Sequence, residues 1–127
     1  MKRLLPLIFT TLAISVGAFA QQADIDKALL AAPGNLKEAA TVIKWKSDGT
    51  YDTLKTGTNK LVCYDKSGAP LQPAFIVECT SLANLPRAAQ NAKIEALGDK
   101  AKVKAAFDAA EKDGTRVSRN MARRGFI

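Results

Sequence analysis

The sequence predicts a small α+β domain: a four-stranded antiparallel meander stapled by one disulfide, with a helix before it and a helical pair after it. Three observations lead there. Residues 39–80 concentrate β-branched and aromatic side chains between turn signals. Cys63 and Cys79 are placed symmetrically about a proline-rich loop. From Asn84 onward the chain is rich in alanine, with apolar residues at helical spacing.

The N-terminus sets the address. Met1-Lys2-Arg3 is a short positive segment, Leu4 to Val16 is apolar and uncharged, and Ala18-Phe19-Ala20 is a small-x-small cleavage site. Residues 1–20 are therefore expected to be a signal peptide, with the working chain starting at Gln21 in the periplasm or outside the cell. The apolar run is shorter than the roughly 20 residues a spanning helix needs, so no transmembrane anchor is expected. A lipid anchor would need a cysteine after the cleavage site, where Gln21 stands.

Gln21 to Ala32 reads as a helix, with Asp24 capping its first turn, Ile25, Ala28, Leu29 and Ala32 on one face, and Pro33-Gly34 beyond its end. Thr41 to Lys46 and Thr50 to Lys55 form a hairpin about Asp48-Gly49, because a two-residue turn needs positive φ that Gly and Asp tolerate. That loop pairs Ile43 with Leu54 on one face and puts Lys44 and Lys46 beside Thr53 and Tyr51 on the other. Gly57-Thr58-Asn59 turns the chain again. Lys60 to Tyr64 and Phe75 to Thr80 make a second hairpin around residues 67–73, and Cys63 opposite Cys79 centres it on Leu71, where the prolines stop any strand. Export to an oxidising compartment makes these two cysteines a disulfide rather than a metal pair.

Pro86 suits a first helical turn, and Leu85, Ala88, Ala89 and Ala92 give one face as far as Gly98. Lys100 to Lys112 follows, capped by Asp99, with Val103, Ala106, Phe107 and Ala110 as its apolar stripe and Asp113-Gly114 as its stop. One domain over residues 21–116 results, followed by a basic tail, 117–127, expected to be mobile.

Ala40-Thr41-Val42, Asp48-Gly49, Leu54-Lys55-Thr56-Gly57-Thr58-Asn59, Cys63, Cys79 and Leu85-Pro86 together resemble an uncharacterised family of small exported bacterial proteins. Its recurrent features are a D-G hairpin, an L-K/R-x-G-T-N segment and two cysteines, and the resemblance covers about residues 25–116. It implies address and fold and carries no catalytic assignment. Such proteins continue further, whereas this chain departs after Arg116 into a tail of different composition, which reads either as a native terminus or as the out-of-frame end of a longer gene.

The formal charge of +7 points first to a polyanion partner. Its distribution argues otherwise. Of the 19 Lys and Arg, Lys2 and Arg3 precede Gln21, and Arg116, Arg119, Arg123 and Arg124 follow Gly114, leaving 13 against all 12 acids between. The tail alone is basic; on a helix Arg116, Arg119 and Arg123 would line one face, a stripe suited to anionic lipid or a polyanion.

With 0 histidines, a Ser-His-Asp or Cys-His nucleophile and any histidine-ligated metal are excluded. Asp48, Asp52, Asp65 and Glu78 remain for carboxylate chemistry, but Asp48 belongs to a turn and Asp65 to a loop entry. Trp45 with Lys44, Lys46 and Tyr51 offers an aromatic-basic patch for sugar or nucleic acid, against the commoner use of a lone Trp in a core. Asn59 beside Gly57 reads as turn chemistry.

No catalytic, cofactor-binding or metal-ligating residue is assigned, and no cofactor or specific nucleic-acid partner is expected. The reading is an exported, non-enzymatic binding or structural protein of the envelope with a protein or polyanion partner. The alternatives are a small carboxylate-dependent hydrolase or lyase, and an inhibitor of another secreted protein.

Overall fold

The computed structural model describes residues 16–120; residues 1–15 of the expected leader and residues 121–127 of the tail, Arg123 among them, lie outside it. Helix α1 spans Val16–Ala28 and runs into a 3-10 turn, Leu29–Ala31. Strands β1 (Thr41–Trp45), β2 (Tyr51–Lys55), β3 (Leu61–Asp65) and β4 (Val77–Ser81) follow. A 3-10 turn, Leu82–Asn84, then leads into α2 (Leu85–Glu95) and α3 (Lys100–Asp113).

The four strands form one sheet in the order β2-β1-β3-β4. The expected antiparallel meander is thereby corrected, because β3 lies parallel to β1, with Thr41, Val42 and Ile43 opposite Val62, Cys63 and Tyr64. Burial explains the choice. Val42 and Ile43 are consecutive and both buried, and so are Leu61, Val62, Cys63 and Tyr64. Strands buried on both faces belong at the centre of a sheet. A meander would have left β1 at an edge and put β2, whose first three residues are exposed, in the middle.

The parallel pairing needs a tight return. Residues 56–60 cross the start of β1, where the Gly57 N–H donates to Thr41 Oγ1 and the N–H groups of Thr58 and Asn59 both donate to the Ala39 carbonyl. Asn59 completes the turn: its amide donates to the Leu36 carbonyl and its side-chain oxygen accepts from the Leu61 N–H.

The first hairpin also departs from expectation. Its loop holds three residues, Ser47 to Gly49, closed by Lys46 N–H to Thr50 O at 2.8 Å and Gly49 N–H to Lys46 O at 3.1 Å, with Gly49 at φ 84°. This is a turn with a left-handed bulge residue rather than a two-residue turn. Ile43 consequently faces Thr53 and Trp45 faces Tyr51, while a bulge brings Lys55 opposite Val42. Ile43 and Leu54 end on opposite faces of the sheet.

Helix α1 covers one face. Ile25, Ala28 and Leu29 pack there with Ala40, Val42, Leu61 and Cys63, and Leu36, Leu54 and Cys79 close the edges. On the other face Leu85 joins Ile43, Val62 and Tyr64, with Trp45 and Ala88 beside them. Helix α3 packs on α2. The second hairpin has the expected register, Cys63 opposite Cys79 and Tyr64 opposite Glu78, and the two cysteines are bonded. Asp99 caps α3 by accepting from the Lys102 N–H, and Gly114 ends it at φ 79°.

Two further expectations are revised. Helix α1 begins at Val16, so Asp24 lies within the helix rather than at its cap. Residues 116–120 are not helical, so Arg116 and Arg119 form no helical stripe. Arg116 turns inward instead: its guanidinium lies 4.7 Å from the centre of the Phe107 ring and donates to Gln90 and Asn91 on α2. Beyond it Val117 exchanges hydrogen bonds with Gln90 and Arg87, and the Asn120 backbone with the Asn84 side chain.

Candidate functional site

The parallel pairing of β1 and β3 ends at Ile43 and Tyr64. Past that point β1 continues to Trp45 and its turn, whereas β3 passes through Asp65 into the 66–76 loop. The strands part, and the gap between their carboxyl ends opens into a cleft of about 500 Å³, within the roughly 300–1,000 Å³ of small-molecule sites.

Trp45 forms part of one wall. Tyr51 and Tyr64 hold the indole in place, both nearly perpendicular to it with ring centres 5.4 and 5.3 Å away, an arrangement favoured by the ring quadrupoles. Ala69 and Pro70 of the loop and Ala92 and Ala96 of the α2 end supply small apolar surface elsewhere in the lining. The turn of the first hairpin is seated on α2, since a Cβ added at Gly49 would lie 2.8 Å from the Lys93 Cβ. This contact fixes Trp45 relative to the helix.

The polar lining is organised in ion pairs. Lys44 Nζ lies 2.9 Å from Asp24, Lys66 Nζ lies 2.8 Å from Glu95, and Asp65 is paired at 2.6 Å with Lys27. Lys46, also in the lining, pairs with Asp52 at 2.9 Å. The hydrogen bond and charge of Asp24 raise the Lys44 pKa, and those of Asp52 raise that of Lys46. Burial works to raise the Asp65 pKa, but hydrogen bonds from Lys27 and from the Ser67 hydroxyl and N–H outweigh it and leave the carboxyl below its ordinary value. Burial, reinforced by Glu78, raises the pKa of the Tyr64 hydroxyl.

The carboxylates singled out in the sequence do not converge. Asp48 accepts from Thr50 inside its turn, Asp52 is on the edge strand β2, and Glu78 stands on β4, 3.9 Å from Lys66. Only Asp65 lines the cleft. Among the described residues, no group of three or more His, Cys, Asp or Glu gathers to hold a metal.

Lys66, Glu95 and Asp24 escaped the sequence reading as site residues. Glu95 left a signal, since a carboxylate in the last turn of a helix opposes the helix dipole unless a partner holds it. Here Lys66 and Gln72 do so.

Compared with protein-family models, with curated proteins and with solved structures, the chain matches none.

Proposed function

We propose that this is an exported, non-enzymatic binding protein that takes its ligand in the cleft at the carboxyl ends of β1 and β3. The carrying observation is the cleft itself: an aromatic wall fixed by two tyrosines, small apolar surface and a rim of ion-paired residues from α1, β1, β3, the 66–76 loop and α2. A crevice beyond the carboxyl ends of parallel strands is where open α/β sheets bind ligands.

Export is supported by the leader pattern and by where burial begins. Residues 17–23 of α1 are exposed, and the first buried residue is Ile25, so cleavage after Ala20 would remove no core side chain among the described residues. The disulfide fits an oxidising compartment. No described helix is long and apolar enough to cross a membrane.

Binding is preferred over carboxylate catalysis because a general acid needs a raised pKa. Asp65 has a lowered one, and Glu95 is bound to Lys66.

Trp45 is the single tryptophan of the chain, so its emission reports on the cleft. A screen of metabolites and envelope fragments against periplasmic protein should find ligands that shift this emission and raise the melting temperature together. Turnover of any screened compound, lost in Asp65→Asn or Glu95→Gln, would overturn the non-enzymatic reading. Intact mass of the exported material should correspond to a chain starting at Gln21.

A further inference from the structure

The charges around the cleft select among ligand classes. Its lining holds three cations, Lys44, Lys46 and Lys66, and three carboxylates, Asp24, Asp65 and Glu95. Every one of the six is in an ion pair. An anion or cation entering this site would face one unfavourable partner for each favourable one, or would have to break a pair and leave a charge behind. A neutral group that both donates and accepts meets no such conflict. It accepts from an ammonium and donates to the neighbouring carboxylate without separating them.

Hydroxyl groups have this double capacity. The remaining lining, an indole held in position and a patch of small apolar side chains, suits a ring that is apolar on its C–H face and polar at its rim. Resting on the reading of the cleft as a binding site, we infer that its ligand is a neutral saccharide, seated against Trp45 with its hydroxyls among the Lys44–Asp24 and Lys66–Glu95 pairs. None of the described tail residues lines the cleft.

The test is calorimetric titration, with Trp45 emission in parallel, using maltose, cellobiose and chitobiose as neutral probes. Glucuronate, glucose 6-phosphate, heparin and a nucleoside serve as comparison probes. At least one neutral disaccharide should bind and shift the emission, with an affinity little changed by salt. Trp45→Ala should weaken it about tenfold or more, the equivalent of one lost aromatic contact, and Trp45→Phe should recover part of that loss. Ala69→Phe narrows the cleft from a loop position outside the buried core, and should abolish the heat of binding while leaving the melting temperature close to that of the parent. If the comparison probes bind with a Trp45-dependent signal and no neutral sugar does, the saccharide assignment fails and the cleft stands. If no probe or screened compound perturbs Trp45, both fail. Sugar binding that survives Trp45→Ala and Ala69→Phe would place the site elsewhere and overturn the inference.

Discussion

Gly57 passes so close to the start of β1 that a Cβ added to it would lie 2.2 Å from the Ala39 carbonyl oxygen and 2.4 Å from the Ala40 carbonyl carbon. The obstruction is backbone, which cannot swing aside as a side chain tip can. Gly57→Ala is therefore expected to destabilise the fold by about 3 kcal/mol, the upper range of ordinary overpacking. Urea unfolding measures this, and an unchanged midpoint would show that the chain does not cross β1 there.

The disulfide closes a separation of 16 residues. The loss of chain entropy in the unfolded state should be worth about 3 kcal/mol. Cys63→Ala combined with Cys79→Ala should lower the melting temperature accordingly, and the oxidised parent should show no titratable thiol under denaturing conditions.

Asp65 makes stability depend on acid. Its pKa in the folded chain lies below the ordinary 3.8, so the Lys27 pair contributes fully above that value and the contribution is lost as pH falls through the lowered one. Melting temperature should drop as pH falls below the ordinary carboxyl value, and Lys27→Met should flatten the drop. Both side chains are partly exposed, so added salt should shrink the difference. A Lys27→Met curve parallel to that of the parent would remove the Lys27 pair as a cause, leaving only the hydrogen bonds from Ser67 to hold the Asp65 carboxyl low.

Arg116 joins the end of the chain to α2 and α3. Its side chain is only 9 % exposed and reaches Gln90, Asn91, Glu111 and the Phe107 ring. Arg116→Ala should cost about 2 kcal/mol, in the range of hydrogen bonds to charged groups. Arg116→Lys should restore little, because an ammonium cannot reproduce the planar fork. Thermal melts of the two variants decide the point; full retention in Arg116→Ala would mean that residues 115–120 pack without it.

Much of the domain was legible from local signals. The register of the second hairpin follows from two cysteines and a proline-rich loop, and Asp99 and Gly114 mark the ends of α3 through the physics of caps. The strand order was not read from turns, because a turn specifies only its own two neighbours. Its trace was in burial: Val42-Ile43 and Leu61-Val62-Cys63-Tyr64 are apolar without alternation, the mark of strands covered on both faces. The cleft was less visible still. Trp45, Lys66, Asp24 and Glu95 come from four elements and meet only once β1 and β3 lie side by side, so no spacing along the chain announces them.

The sheet is restrained by different means on its two sides. The covalent bond lies wholly within β3 and β4, whereas β1 meets β3 through the parallel ladder and through the close backbone passage at Gly57. Reductant and mutation should therefore act on different halves of the molecule. Opening the bond loosens the β4 margin and leaves the crossing of β1 in place, whereas a methyl group at residue 57 displaces β1 with the bond intact. The cleft opens between β1 and β3, one strand from each half, so the two perturbations approach it from opposite walls.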